Sequence, residues 1–508
     1  MTSGGDGATI DAAVLRAGRS TVYDLFRQTA EHAPASIAIE HGASHISYGE
    51  LLRDVNRLAF DLSRRGDRVA VLSENRPEYL RLLLAAAAIG AIVACQNVRL
   101  ARAELQHCVA LAAPKLIFVS ARHAATAAQL DCADASVLNI AATPDDAPGA
   151  DPFTGDSSVD PEDPLILIYT SGTTGLPKGA LISHRAEIAR MAVAHIDLGG
   201  RRDDAMFAWA PMYHIGGVDQ ALAALMLGGT VVITDGFHAP PLIDALSRHR
   251  FGWLLLVPGI IEPVVEELER SGVAIRGVSS VGCMADLVPP ALIARATKAF
   301  NAPFLNSFGM TETGLAPLSG DLILVGVAPM KLSKRLNTLC EFKLIDAEGR
   351  EVAPGEVGEG AVRGPTLFSG YWNAPEATAR DFSNGFFRMG DLFRRTPDGA
   401  YDFVDRARYL IKSGGENIYP AEIERVLLAD PRVSDAIVVR KPDAKWGEVP
   451  VAFVARTDDS LDEAAIETLC RRALASYKRP KEVRFVAFAD FPRSTSGKIV
   501  RSEMEKRL

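Results

Sequence analysis

Five consecutive apolar residues, Leu165 to Tyr169, follow Pro164 and give way abruptly at Thr170 to hydroxyls and glycines that run on to Lys178 and Gly179. A continuous apolar run of this length reads as a strand buried on both faces, as inside a parallel sheet with helices on either side. Downstream, Ser183 can cap a helix whose apolar positions Ile188, Met191 and Ala192 fall at helical spacing, and Gly199 with Gly200 ends it. Buried strand, polar loop and helix in that order commit the chain to an α/β fold.

The same alternation recurs on both sides. Strands are expected at Val69–Leu72, Leu116–Val119, Val231–Thr234, Trp253–Val257 and Gly277–Val281, with helices over Tyr48–Ser63 and Arg76–Ala88 and from Gly259 to about Glu269. Leu332 to Phe403 changes texture to short runs punctuated by Gly and Pro, which reads as a small β-rich subdomain. A boundary falls near Asp405–Arg408. Beyond it, the helices Ala421–Leu428 and Leu461–Ala475 and the strands Ala436–Val439, Pro450–Val454 and Val483–Val486 form a compact α+β unit. The expected fold is therefore α/β, with a large multi-subdomain N-terminal domain (1–405) of parallel α/β sheets plus the β-rich piece. A small α+β C-terminal domain (406–508) follows.

Composition excludes several classes. A net charge of −8 argues against nucleic acid as the main partner. The six cysteines (Cys95, Cys108, Cys132, Cys283, Cys340 and Cys470) have no paired spacing, which fits reduced thiols better than a disulfide framework or a zinc site. The N-terminus lacks the basic-then-apolar layout of a signal peptide, and the apolar run Leu82–Cys95 is too short to span a bilayer. The expectation is a cytoplasmic protein with no integral membrane association. The sequence allows a homodimer but does not encode one legibly.

The loop after the organising strand suits polyphosphate. Gly172, Gly175 and Gly179 let backbone N–H groups approach closely and form an anion-binding concavity. Thr170, Ser171, Thr173 and Thr174 add hydroxyl donors, and Lys178 adds a charge. Lys178 is followed by Gly179 rather than Ser or Thr, so this is not the Walker pattern. The whole string resembles the phosphate loop of the adenylate-forming superfamily, which contains acyl- and aryl-CoA synthetases, luciferases and peptide-synthetase adenylation domains.

Four further segments follow in the superfamily's order, and the resemblance runs from about residue 20 to 505. In Asn306-Ser-Phe-Gly-Met-Thr-Glu312, Phe308 can stack on a base, Gly309 allows close backbone approach, and Glu312 offers the hard oxygen that suits Mg²⁺. By resemblance Ser307 and Thr311 complete this nucleotide segment; many relatives have Tyr at the position of Phe308. Gly385-Phe-Phe-Arg-Met-Gly-Asp391 resembles the segment whose Asp holds the ATP ribose, with Met389 where Thr is usual. In the stretch from Asp405 to Glu424, Arg406 matches a ribose and phosphate contact, and Arg408 matches the hinge of a mobile C-terminal domain. Gly414 and Gly415 match a strand edge that meets the site when coenzyme A is present. Pro492–Arg501 resembles the loop of the adenylation lysine, here Lys498, which would stabilise charge growing on the α-phosphorus.

The resemblance implies an acid–CoA ligase using ATP, Mg²⁺ and coenzyme A. Trp446, Tyr477, Arg479 and Lys481 match positions that stack on the CoA adenine and hold its phosphates. His214 matches a residue gating the acyl pocket, whose other walls by analogy are Trp209, Val257, Cys283, Met284, Phe308 and Leu315. That set is apolar and bulky, which suits a compact aromatic or alicyclic acid, or a short-to-medium fatty acid. Neither His214 nor Ile215 supplies the Asp with which peptide-synthetase domains hold an amino group. The sequence departs most from its relatives at Gly282–Asp286, where small residues are usual, and at Lys331–Lys334, where a Gly-rich turn is usual. Other classes share these motifs: a luciferase-type oxygenase, an enzyme loading carrier proteins, or a non-catalytic ligand-binding relative.

Overall fold

The computed structural model describes residues 19–62, 67–142, 155–170, 176–414, 416–493 and 499–508. Its first sheet has six strands, in the spatial order Ser136–Asn139, Leu116–Val119, Arg68–Leu72, Ile92–Cys95, Pro164–Thr170 and Lys178–Ser183. The first five are parallel, and the sixth turns back antiparallel on the fifth. Leu165, Ile166 and Ile168 enter one core while Leu167 enters the core on the other face, so the organising strand is buried on both sides. The run Leu82–Cys95 is the end of a helix buried almost all round (Pro77–Ile89) and the next strand. No helix among the described residues is long and apolar enough to cross a membrane.

A second sheet orders Ser44–Ser47, Ile37–His41, Val231–Ile233 and Met206–Ala208. A third orders Phe251–Leu255, Val278–Gly282, Phe304–Leu305 and Leu322–Ile323, its first three strands parallel. The stretch read as β-rich is an antiparallel sheet built on Glu341–Ile345, Val357–Arg363, Phe386–Arg395 and Tyr401–Arg406. The smaller C-terminal domain is a sheet centred on Val433–Asp443 and Gly447–Arg456, with a separate apolar cluster on each face.

Ser183 does cap the helix His184–Leu198, accepting a hydrogen bond from the Ala186 N–H, and Gly199 closes it in the left-handed conformation. Its most buried face differs from the apolar stripe expected. Ile188, Met191 and Ala192 are half-buried, whereas Glu187 and Arg190 are buried. Asp219 on the facing helix, 3.3 Å from Arg190, gives that buried guanidinium the partner it needs. Burial and the neighbouring Asp219 push the Glu187 carboxyl well above the usual range.

Candidate functional site

Parallel strands deliver their side chains to one end. Val257, Cys283 and Ser307 each lie just beyond the C-terminal ends of the adjacent strands Phe251–Leu255, Val278–Gly282 and Phe304–Leu305, and Trp209 follows Met206–Ala208 in the same way. The crevice outside the carboxyl ends of parallel strands is where open α/β sheets bind ligands. The Ser307 N–H donates to the Cys283 carbonyl at 3.4 Å, joining the expected nucleotide segment to the expected pocket wall. Ser319 Oγ lies 2.6 Å from the Leu315 carbonyl and 2.7 Å from the Phe308 N–H, which brings those two positions together. Met284 packs against the main core. Trp209 donates from its indole to the Leu255 carbonyl at 2.9 Å and sets its ring edge-on to Phe237. His214 caps the helix Ile215–Leu227, Nδ1 accepting from the Gly216 N–H at 3.2 Å, with its side chain toward solvent.

The phosphate-loop residues Ser171, Gly172, Thr173, Thr174 and Gly175 lie outside the described residues. Thr170 and Lys178, at either edge of that loop, pair across the strand hairpin. Lys178 approaches Asp381 at 3.4 Å, and its ammonium sits 4.0 Å from the ring centroid of Tyr371. Tyr371 in turn donates to Glu312 Oε1 at 2.8 Å. The side chain expected at phosphate and the one expected at Mg²⁺ thus meet through an aromatic residue that sequence reasoning missed. Its signal was Gly370-Tyr-Trp372, a stretch whose backbone bonds to Gly179 and Leu181 stitch it to the hairpin.

Glu312 is 4% exposed, and burial pushes its carboxyl above the usual range. The Tyr371 hydrogen bond and the charges of Lys178 and Arg190 pull the other way. Arg190 also donates to the carbonyls of Thr311 at 3.0 Å and Thr366 at 2.9 Å, bracketing the nucleotide segment from behind. Gly309 is required by close approach, since a Cβ there would lie 1.9 Å from the Gly314 carbonyl oxygen. The Phe308 ring packs against Phe393 and Phe403, with centroids 4.9 and 5.5 Å away. No group of three His, Cys, Asp or Glu among the described residues could hold a metal by itself. One buried carboxylate is nevertheless a fitting donor set for Mg²⁺ that arrives on nucleotide phosphates, because that ion keeps few protein ligands.

Asp391, buried in the strand Phe386–Arg395, stands opposite Arg406 in register, with Arg406 Nε 3.3 Å from its Oδ1. Arg408 is exposed and lies over the Tyr409 ring at 4.7 Å. Asp405 bridges the two flanks of Arg408. Its Oδ1 accepts from the Arg406 N–H at 2.6 Å, and its Oδ2 accepts from the Ala421 N–H at 2.8 Å, near the start of the helix Pro420–Leu428.

Gly414 donates its N–H to the Trp446 carbonyl at 2.8 Å and has φ +59, with the indole where a Cβ would be. Trp446 is 43% exposed, so its ring is not spent on the small domain's core. Tyr477 is also exposed, Arg479 Nε bonds the Leu474 carbonyl at 3.2 Å, and the Lys481 N–H bonds the Pro450 carbonyl at 2.9 Å. Gly415 and Lys498 lie outside the described residues.

The sequence model of the AMP-binding enzyme family matches residues 26–372, and that of the AMP-binding enzyme C-terminal domain matches 422–498. The chain is 34% identical to a feruloyl-CoA synthase of Amycolatopsis sp, over 94% of this chain and 97% of that one. It is 33% identical to the indoleacetate–CoA ligase of Aromatoleum aromaticum, over 93% and 95% respectively. Its structure is similar to that of o-succinylbenzoate CoA synthetase from Bacillus subtilis with its acyl-adenylate intermediate, at TM-score 0.83, 26% identity and coverage of 96% and 98%. The same synthetase has also been solved with ATP and magnesium ion.

Proposed function

The chain belongs to the AMP-binding enzyme family, and we propose that it is an AMP-forming acid–CoA ligase for a compact aromatic or alicyclic acid or a short-to-medium-chain fatty acid. A carboxylate oxygen of the acid attacks the α-phosphorus of ATP, the bond to pyrophosphate breaks, and an acyl-adenylate forms. The CoA thiol then attacks the acyl carbon, loses its proton and expels AMP. Two feasible displacements replace one unfavourable condensation.

The observation that carries this reading is the convergence at the C-terminal ends of the strands. Trp209, Val257, Cys283 and Ser307 each follow the end of a parallel strand, the Ser307 N–H bonds the Cys283 carbonyl, and Tyr371 joins Glu312 to Lys178, which supports an apolar acid pocket beside a phosphate site. The aryl acids named for the two ligases similar to this chain favour the aromatic end of the range. Glu312 would hold Mg²⁺, which supplies charge neutralisation on the phosphates. Lys178 and the loop Thr170–Gly175 would cradle the phosphates, Asp391 and Arg406 the ribose, and Phe308 with Gly309 and Thr311 the base. Lys498 would supply positive charge at the α-phosphorus.

We place the division between domains at 405/406, with rotation about Arg408 withdrawing Lys498 after adenylation. Gly414, Gly415, Trp446, Tyr477, Arg479 and Lys481 would then receive CoA, and His214 would gate the acid. The cysteines, mostly buried and joined by no disulfide, suit the cytoplasm.

Pyrophosphate release with MgATP tests the proposal, across aryl, alicyclic and straight-chain acids, with and without CoA. Release with one acid class, accelerated by CoA, is expected. Release that CoA does not accelerate points instead to carrier-protein loading or oxidation, and silence across the panel points to a binding protein.

A further inference from the structure

The two stretches that depart most from the superfamily's pattern in sequence meet in space. The Lys334 side chain is 0% exposed, and its ammonium donates to Asp286 Oδ2 and to Asn306 Oδ1, each at 2.6 Å. Asn306 passes the connection on, donating to the carbonyls of Leu332 and Ser333 at 3.0 and 3.3 Å. On its other side Lys334 exchanges both backbone hydrogen bonds with Tyr401, each 2.8 Å, and Ser333 Oγ lies 2.6 Å from Asp402 Oδ1. Lys334 therefore ties three stretches together: its ammonium holds Asp286, two residues past Met284, and Asn306, immediately before Ser307, while its backbone holds the edge of the β-rich sheet.

Stability does not account for this arrangement. A buried ion pair is commonly matched or bettered by apolar residues of the same volume, while loss of one partner is strongly destabilising. What the pair supplies is a fixed distance, because an ammonium with two anchored acceptors has no alternative seat in a dry interior. We propose that Lys334 is a positioning residue that sets the spacing between the acid-pocket wall Cys283–Met284 and the nucleotide loop Ser307–Phe308, and thereby restricts the enzyme to compact acids. This rests on the acid–CoA ligase reading. With Asp286 anchored, the wall cannot swing outward to admit a longer chain.

The test compares the parent with Asp286→Asn, which is nearly isosteric, and with the apolar pair Lys334→Met/Asp286→Leu. Selectivity is read as the ratio of kcat/KM for a compact aryl acid to that for a longer straight-chain acid. The ratio is expected to fall about tenfold or more in both variants, within the range for misplacing a reacting group by about an ångström, with the KM for ATP moving far less. The apolar pair removes both charges together and should stay folded with a modest fall in Tm, because Asn306 Oδ1 loses its donor. It should nevertheless lose selectivity as fully as Asp286→Asn, a match that a purely structural role would not give. Selectivity kept in either folded variant overturns the proposal. A second readout needs no turnover: alkylation of Cys283, followed by peptide mapping, should quicken in both variants, and unchanged rates overturn the positioning role. A parent that releases no pyrophosphate with any acid sinks the ligase reading instead, and the Cys283 measurement still decides the positioning role.

Discussion

Tyr371 donates its hydroxyl to Glu312 at 2.8 Å while the Lys178 ammonium rests on its ring, so one side chain contacts both an anionic and a cationic residue of the candidate site. Tyr371→Phe keeps the ring under Lys178 and removes only the hydrogen bond. A hydrogen bond to a charged group is worth about 1.5–3 kcal/mol, so adenylation is expected to slow roughly 10- to 100-fold. The sign of the pH effect is fixed as well. Burial raises the Glu312 carboxyl and the Tyr371 bond opposes that rise, so the variant's acid limb should move to higher pH. A pH–rate profile with an unmoved limb would remove Tyr371 from the site.

Lys498→Ala is expected to lose at least about 10²-fold in pyrophosphate release, the scale for one preorganised charge-stabilising donor. Thioester formation from a supplied acyl-adenylate should be largely spared. Equal losses in the two half-reactions would show that the lysine does not act on the first step alone.

Trp446→Ala should raise the KM for CoA roughly tenfold, since stacking on one base is worth about 1–3 kcal/mol. Pyrophosphate release measured without CoA should stay at the parent level. Gly414→Ala should give a related defect from the other side, because its Cβ would press into the same indole. A CoA titration that overlays the parent's would return Trp446 to the status of a surface residue.

His184 predicts where the protein becomes acid-labile. Its Nδ1 accepts from the Val22 N–H at 3.3 Å, and burial holds the ring neutral, pushing its pKa down to about 4 from the model-peptide value of about 6.5. Between those values the unfolded chain binds a proton that the folded one refuses. Stability is therefore intact above about pH 6.5 and falls as pH drops toward 4, by roughly 3 kcal/mol over the window. Urea midpoints at pH 7 and pH 5 should diverge in the parent and converge in His184→Gln. An unchanged gap would assign the acid sensitivity elsewhere.

The layered fold was legible because periodicity carries it. Leu165–Ile168 reads as a strand with two covered faces and is one, and Ser183 marked the start of the helix that follows. Residues whose partners are remote in sequence were not legible. Nothing in the local pattern marks Arg190, yet it is buried against Asp219 and carbonyls from Thr311 and Thr366. Tyr371 was hidden for the same reason, as was the pairing of Lys334, whose acceptors lie 48 and 28 residues earlier. Local pattern predicts which elements form; it is silent on which distant polar groups will satisfy one another once the elements pack.

If the C-terminal domain rotates about Arg408 as proposed, the two hydrogen bonds accepted by Asp405 would bear on the tempo of turnover. A swing about Arg408 must either carry this carboxylate with the moving part or strip it of the Ala421 donor, at a depth where burial already disfavours its charge. The helix Pro420–Leu428 would lose the negative group at its N-terminus in the same motion. Adenylation and thioester formation would then be separated by a toll on one side chain. Weakening that latch should speed exchange between the two conformations before it changes the chemistry of either.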